Sequence, residues 1–160
     1  MLRDPPKVGE YLNRECGMDL CVPTAVPTGA MRRSKTKPQT FLIVDDSALI
    51  RGRLASMLSE IPGVRLLGEA SGAVDGAALI RSEHPDVVIL DIRMPGRSGI
   101  GLLEDIKNDP ERPTIIILTN YPYAAYRKRC MELGVSHFFD KTTEFTELET
   151  VVRELARSRR

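Results

Sequence analysis

The chain has 160 residues, of which 42% are hydrophobic and 28% charged, a composition typical of one folded domain and too apolar for a wholly disordered protein. Lys and Arg together number 23 against 22 Asp and Glu, so the formal net charge is +1 and we expect no nucleic-acid binding driven by bulk charge. No apolar run approaches the roughly 18 residues of a membrane-spanning helix, and no signal peptide is evident, so we expect a cytoplasmic protein without membrane contact.

The first forty residues differ in composition from the rest of the chain. They carry seven basic and four acidic side chains together with five prolines, and they show no sustained helical or strand period. Such a segment buries too little apolar surface to offset the entropy lost on ordering. We therefore predict a flexible, disordered extension over residues 1–39, a folded domain over 40–157 and a basic tail over 158–160.

From residue 40 onward, short apolar runs alternate with helical patterns. The first predicted strand, residues 41–44, is apolar throughout, as is typical of a strand buried on both faces of a parallel sheet. Ser47 is the predicted N-cap of a helix that ends at Pro62. Its apolar positions recur at helical spacing: Ile50, Leu54, Met57, Leu58 and Ile61. The second predicted strand, residues 64–70, is less uniformly apolar, which favours a place near the sheet edge.

The same alternation continues through the second half of the domain. A small-residue helix over 72–84 carries Val74, Ala77, Ala78 and Ile80, and strands are predicted over 86–91, 113–119 and 135–140. The intervening helices are marked by Ile100, Leu103 and Ile106, by residues 123–133 before Gly134, and by Phe145, Leu148, Val151, Val152 and Leu155. Five strands alternating with five helices predict an α/β fold with a doubly wound parallel sheet.

Polar residues stand where several predicted strands end. Asp45 and Asp46 follow the first strand, Asp91 ends the third, Thr119 ends the fourth, and Lys141 follows the fifth. Because ligands in open α/β sheets bind beyond the carboxyl ends of the strands, we expect these side chains to converge. Clustered carboxylates repel each other unless a cation or a proton neutralises them, and oxygen ligands with room for water favour Mg²⁺. The pattern indicates a metal-assisted phosphoryl site with a carboxylate nucleophile.

Four segments, residues 42–46, 90–99, 118–119 and 138–141, together resemble the receiver domains of two-component response regulators. The resemblance covers about residues 40–157, and the joint pattern is much more specific than any one of its pieces. It implies the flavodoxin-like fold with strand order 2-1-3-4-5. It also implies a cytoplasmic signalling phosphoprotein that works through protein–protein contact.

Carried over by position, the resemblance implies that Asp91 accepts a phosphoryl group from a phosphohistidine donor, either a histidine kinase or a histidine phosphotransfer protein. Asp46 and Asp91 would hold Mg²⁺, with Asp45 acting mostly through water and the Arg93 backbone carbonyl as a further ligand. Lys141 would pair with the phosphoryl oxygens and share the catalytic role of Asp91.

The resemblance also implies a switch. Thr119 would move to hydrogen-bond the phosphoryl group, and Phe138 stands where the family has its switch aromatic. The output surface would be formed by the fourth helix, fifth strand and fifth helix, near Tyr123, Tyr126, Arg127 and Lys128. Since Phe138 has no hydroxyl, we expect packing alone to bias its position.

The chain departs from the family pattern at three points. Asn120 follows Thr119 where the family usually has Ala or Gly, which predicts more hindered access to the phosphoryl group. Thr142 replaces the commoner Pro after Lys141, which predicts a less constrained turn. No output domain follows the last predicted helix in this sequence, so we expect a stand-alone receiver rather than a conventional enzyme.

Two other classes of function stay open at this point. A phosphatase of the haloacid-dehalogenase type would use an aspartyl nucleophile but requires two Asp one residue apart after the first strand, whereas Asp45 and Asp46 are adjacent. A receiver-like domain that binds partners without phosphorylation generally lacks part of the acidic pocket or the lysine. The residues His84, His137 and Cys130 are predicted to be structural, since none has a partner that suggests catalysis.

Overall fold

The computed structural model describes residues 37–158. The predicted extension therefore lies outside the described residues except for its last three positions, and so do residues 159–160 of the predicted tail. The first strand begins at Gln39, one residue earlier than the predicted domain boundary, because the Gln39 backbone N–H donates to the carbonyl of Gly63 at 2.8 Å. Within this part of the chain, every helix is too short or too polar to cross a membrane.

Five strands and five helices alternate along the described chain. The strands are β1 (Gln39–Val44), β2 (Val64–Ala70), β3 (Val87–Leu90), β4 (Thr114–Thr119) and β5 (His137–Asp140). The helices are α1 (Ala48–Ser59), α2 (Ala73–Glu83), α3 (Gly99–Ile106), α4 (Ala124–Glu132) and α5 (Phe145–Ser158). All neighbouring strands pair in parallel, in the order β2-β1-β3-β4-β5. The predicted fold class and strand order are confirmed, including the place of β2 at an edge.

The helices cover both faces of the sheet and divide the core into two layers. Helices α1 and α5 pack on one face, where Leu54, Leu58, Leu148 and Val152 meet side chains of the central strands. Helices α2, α3 and α4 pack on the other face, where Cys130 is fully buried. Successive apolar side chains of β1, β3 and β4 point alternately into the two layers, as expected for strands buried on both faces.

Helix α2 buries only part of the set of residues that its spacing suggested. Val74 is 68% exposed and Ala78 is exposed, while Ala73, Ala77 and Ile80 are buried. A Cβ atom on Gly76 would lie 2.8 Å from Cγ1 of Val44, so the helix uses its glycine to approach the end of β1 closely. The close approach sets the face of α2, so that two of the four positions expected from the spacing, Ala77 and Ile80, are buried.

The predicted start of α1 and the predicted end of α4 agree with the structure. The side-chain oxygen of Ser47 accepts a hydrogen bond from the Ile50 backbone N–H at 3.4 Å and caps α1. Gly134 follows α4 with a φ of +77°, the left-handed conformation that glycine adopts without strain. Helix α2 ends at Glu83, and its C-cap residue His84 has a φ of +46° and places Nδ1 3.1 Å from Oε2 of Glu111.

Candidate functional site

The polar residues at the strand ends meet at one edge of the sheet. Oxygen atoms of Asp45, Asp46 and Asp91 lie within 4.8 Å of one another. The Lys141 ammonium nitrogen lies 2.6 Å from Oδ2 of Asp45 and 2.7 Å from Oδ2 of Asp91. The convergence that we predicted from the parallel topology is confirmed for these four side chains.

Most of this cluster is buried. The exposed fractions are 2% for Asp45, 5% for Asp91 and 6% for Lys141, whereas Asp46 is exposed. Two buried carboxylates therefore share one buried ammonium, which leaves negative charge in excess even before Asp46 is considered. Since an unpaired buried charge is costly, the arrangement is suited to a bound cation.

The protonation of the buried groups follows from burial and from this pairing. Burial raises the pKa of Asp45 above its ordinary value, although hydrogen bonds from Lys141 and the Ser47 backbone oppose the shift. Burial also acts against the charge on Lys141, but hydrogen bonds to Asp45 and Asp91 outweigh it and raise the pKa of the ammonium. Lys141 is therefore a fixed positive charge at neutral pH, available to an anionic group beside Asp91.

The loop after β3 holds Asp91 in place. The Asp91 side chain accepts a hydrogen bond from the Arg93 backbone N–H at 3.4 Å, and the Gly99 N–H donates to the Ile92 carbonyl at 2.8 Å. A Cβ atom on Gly99 would lie only 2.1 Å from the Asp91 carbonyl oxygen. Only glycine therefore permits this close passage of α3's first residue against the backbone of Asp91. The motif containing Pro95 and Gly99 signals this loop in the sequence.

Arg51 supports the two aspartates that follow β1, and we did not predict its role from the sequence. Its guanidinium donates to the backbone carbonyls of Asp45 at 2.8 Å and of Asp46 at 3.2 Å. The same side chain pairs with Glu69 at the end of β2. The Arg51 side chain thus holds the β1–α1 loop by hydrogen bonds to the main chain of that loop. No local sequence pattern marks this role, because the groups that Arg51 holds at the site are backbone carbonyls.

Thr119 and Lys141 are connected through the backbone. The Lys141 N–H donates to the Thr119 carbonyl at 3.0 Å, which joins the ends of β4 and β5. The Thr119 hydroxyl oxygen accepts from the Tyr121 backbone N–H at 3.2 Å, and the residue is fully buried. A hydroxyl that accepts one hydrogen bond still has its proton to donate. Thr119 therefore retains a donor for a further acceptor.

An open cleft of about 710 Å³ lies over the acidic cluster. Its charged lining residues are Asp46, Asp91, Arg93 and Lys141, while Asp45 and Thr119 are not part of its lining. Asn120 is exposed at this cleft, and hindered access to the phosphoryl group stays a prediction. The rest of the wall is formed mainly by Ile50, Met94, Pro95, Tyr121 and Tyr126. The Arg93 guanidinium carbon lies 4.4 Å from the centre of the Tyr121 ring, a contact that we did not anticipate.

The turn after Lys141 is more constrained than predicted. Both the backbone N–H and the hydroxyl of Thr142 donate to Oδ1 of Asp140, at 2.7 and 2.6 Å. The hydroxyl contact is the largest cause of the lowered pKa of Asp140. The expectation that Thr142 loosens this turn is therefore wrong, because its backbone N–H and its hydroxyl each supply a hydrogen bond that a proline lacks.

Phe138 is 5% exposed and packs in the layer formed by α2, α3 and α4, while Phe139 packs on the opposite face of the sheet. The Arg127 guanidinium carbon lies 4.5 Å from the centre of the Phe138 ring. The expectation that packing alone positions Phe138 is thus wrong, since a cation also contacts the ring. The charge of Arg127 was visible in the sequence, but its partner was not.

A family model described as "Response regulator receiver domain" matches residues 41–153. A protein-glutamate methylesterase/protein-glutamine glutaminase of Desulfotalea psychrophila is 36% identical over 107 residues, which are 66% of this chain and 29% of that protein. The transcriptional regulatory protein DesR of Bacillus subtilis is 28% identical over 121 residues, 76% of this chain and 60% of that protein. The chain thus spans under a third of the methylesterase's length.

Solved structures give the same picture of the fold. The signal receiver domain of the putative response regulator NarL from Mycobacterium tuberculosis superposes with a TM-score of 0.69 at 25% sequence identity. The superposition covers 77% of this chain and 99% of that domain.

Proposed function

Because the chain belongs to the response regulator receiver domain family, we propose that Asp91 is its phosphoacceptor in a two-component phosphorelay. The observation that carries this assignment is the placement of Asp91. Its carboxylate lies at the floor of the open cleft, 2.7 Å from the Lys141 ammonium and close to two further carboxylates. The carboxylate proposed as the nucleophile, the positive charge of Lys141 and an acidic cluster suited to a cation thus lie close together.

The proposed transfer takes the phosphoryl group from the phosphohistidine of a histidine kinase or a histidine phosphotransfer protein. A carboxylate oxygen of Asp91 forms a bond to phosphorus as the bond from phosphorus to the imidazole nitrogen breaks. The imidazole nitrogen keeps the electron pair of that bond and takes up a proton from solvent. Lys141 stays charged throughout and offsets the negative charge of the phosphoryl oxygens.

The residues of the acidic cluster fit a divalent metal. Asp45, Asp46 and Asp91 offer only oxygen ligands, and one of them is exposed to solvent, which leaves room for water in the coordination shell. We assign Mg²⁺ to these carboxylates, with Asp45 acting mostly through water and the Arg93 carbonyl as a further ligand. When bound, the ion would neutralise part of the negative charge on the phosphoryl oxygens. The excess negative charge described above supports this assignment.

The proposed output uses Thr119 and Phe138. A phosphoryl group brings roughly −1.5 to −2 charge and three acceptor oxygens, and the Thr119 hydroxyl still has a proton to donate to one of them. Movement of Thr119 changes the packing beside β4, where Phe138 is buried. The surface formed by α4, β5 and α5 then contacts a downstream protein, with Tyr123 and Lys128 among its exposed residues.

The methylesterase relatives raise a second function, in which the site hydrolyses an external substrate. The described domain supports phosphoryl transfer to itself and hydrolysis of its own acyl phosphate, because its nucleophile lies in the acid cluster and is paired with Lys141. We therefore propose a signalling phosphoacceptor and not a conventional turnover enzyme. Steady hydrolysis of a glutamate methyl ester by the full chain would favour the second function.

The direct test of the donor is a phosphotransfer profile. Radiolabelled histidine kinases and phosphotransfer proteins of the same cell are each mixed with the full chain in Mg²⁺. We expect one or a few donors to transfer label within seconds to the wild-type chain and none to transfer it to Asp91→Asn. A donor that labels Asp91→Asn as fast as the wild type would contradict the assignment of Asp91.

A further inference from the structure

Arg127 makes three contacts that all converge on β5 and the loop after it. Its guanidinium carbon lies 4.5 Å from the centre of the Phe138 ring, and Nη1 donates to the Phe138 carbonyl at 3.3 Å. Nη2 lies 4.0 Å from Oε2 of Glu144. A single side chain of α4 therefore contacts both the ring and the main chain of Phe138.

Glu144 extends this contact to the loop that carries Lys141. The carboxylate oxygen that faces Arg127 also accepts a hydrogen bond from the Asp140 backbone N–H at 2.8 Å. The Glu144 N–H in turn donates to the Asp140 carbonyl at 3.0 Å. Arg127 is thus connected through Glu144 to the residue that precedes Lys141, and so to the phosphoryl site.

The strength of the three contacts differs. The Arg127 side chain is 47% exposed and its distance to Glu144 is at the limit of an ion pair, so that pair contributes little. The contact with the ring and the hydrogen bond to the carbonyl act together on one residue, and Phe138 lies on the edge strand of the sheet. The open main-chain groups of an edge strand need a partner, and Arg127 covers one of them.

We propose that Arg127 is a positioning residue that holds Phe138 in its buried position before any phosphoryl group arrives. This inference rests on the proposed function, in which Phe138 is part of the switch. Outward rotation of the Phe138 ring would lose the stacking contact with the guanidinium. The α4–β5–α5 surface is therefore biased toward one arrangement in the unmodified chain, and phosphorylation changes it less than it would without Arg127.

Fluorine NMR of the full chain labelled with 4-fluorophenylalanine tests whether Arg127 holds Phe138 in its buried position, and it needs no phosphoryl donor. The chain has four phenylalanines, and Phe138→Leu assigns the resonance of interest. The variants are Arg127→Ala, Arg127→Met and Arg127→Lys. Lys128→Ala, which removes an exposed cation from the same helix, is the matched control. Amide spectra establish that each variant is folded.

We expect Arg127→Ala and Arg127→Met to raise the population of exposed Phe138 about fivefold, as loss of one cation–π contact implies. The Phe138 resonance then moves toward its position in urea. Arg127→Lys has an intermediate effect, because an ammonium keeps a cation near the ring but lacks the planar fork of the guanidinium. Lys128→Ala leaves the resonance unchanged. A Phe138 resonance that stays at its wild-type position in both Arg127→Ala and Arg127→Met overturns the proposal.

A second arm separates this inference from the proposed function. Beryllofluoride with Mg²⁺ is added to the wild type and to Arg127→Ala, and phosphoryl incorporation from acetyl phosphate is measured in both. We expect beryllofluoride to shift the Phe138 fluorine resonance further in Arg127→Ala than in the wild type. An equal shift in the two proteins contradicts the inference about Arg127. Failure of the wild type to accept a phosphoryl group overturns the proposed function, while the donor-free spectra still decide the role of Arg127.

Discussion

The ammonium nitrogen of Lys141 lies 2.7 Å from Oδ2 of Asp91, and both side chains are buried. The same nitrogen lies 2.6 Å from Asp45, so one cation serves two carboxylates at the point where three strands end. This pairing means that Lys141 stabilises the folded site in addition to the role that we propose for it in phosphoryl transfer.

Lys141→Met is expected to destabilise the protein by about 3–5 kcal/mol, because it leaves two buried carboxylates without their counter-charge. Urea unfolding at neutral pH measures the loss, and Mg²⁺ should restore part of it. Lys128→Met, on the exposed face of α4, is the matched control and should change the free energy of unfolding by less than about 0.5 kcal/mol. Equal free energies of unfolding for Lys141→Met and the wild type would show that the ion pairs of Lys141 do not stabilise the folded protein.

Gly99→Ala is expected to lower stability by about 1–3 kcal/mol, since its Cβ atom would overlap the Asp91 carbonyl and the loop must shift. Phosphoryl incorporation from acetyl phosphate should fall as well, because the shift displaces Asp91. Gly52→Ala is the control. Its Cβ atom meets no other atom within 4 Å, and its place inside α1 predicts a gain of about 0.5–1 kcal/mol. A Gly99→Ala protein as stable and as reactive as the wild type would disprove the close-approach role.

Cys130 is expected to react slowly with iodoacetamide in the folded protein. Burial raises the pKa of its thiol to about 11, so the reactive thiolate is scarce at neutral pH. In a Cys16→Ser, Cys21→Ser background, labelling should accelerate only as the pH approaches 11, whereas in urea it should accelerate near the ordinary thiol pKa of 9.0. Rapid labelling of the native protein at pH 8 would be inconsistent with a buried Cys130.

Thr142→Val is expected to raise the pKa of the Asp140 carboxyl toward its ordinary value, because the hydroxyl of Thr142 is the largest cause of its depression. Carboxyl carbon NMR over a pH titration measures the change. Thr143→Val, one residue along, tests whether any nearby threonine has the same effect, and we expect a much smaller shift. An unchanged Asp140 titration in Thr142→Val would remove the evidence for a hydrogen-bonded turn.

The sheet and the acidic cluster could be predicted from the sequence because both follow from topology. Apolar runs such as residues 41–44 mark buried parallel strands, and parallel strands bring Asp45, Asp91 and Lys141 to the same edge. The buried face of α2 could be predicted only in part, through Ala77 and Ile80. Gly76 and the alanines around it carry little hydrophobic signal, so the contact with Val44 decides the face instead.

The supporting arginines were missed for a different reason. Arg51 and Arg127 use long side chains to reach backbone carbonyls, of Asp45 and of Phe138, and neither partner leaves a mark in the local sequence. The turn at Thr142 differs from the expectation because the backbone N–H and the hydroxyl of Thr142 both donate to Asp140, which the backbone restriction of a proline does not reveal. Contacts of this kind depend on the folded geometry and are visible only in the structure.

The most direct measurement is the location of the acyl phosphate. The full chain is incubated with acetyl phosphate and Mg²⁺, reduced with borohydride and digested, and the modified residue is identified by mass spectrometry. We expect one phosphoryl group per chain, located on Asp91, and none after chelation of Mg²⁺ or in Asp91→Asn. Modification of Asp45 or Asp46 instead, or undiminished modification of Asp91→Asn, would contradict the assignment of Asp91 as the phosphoacceptor.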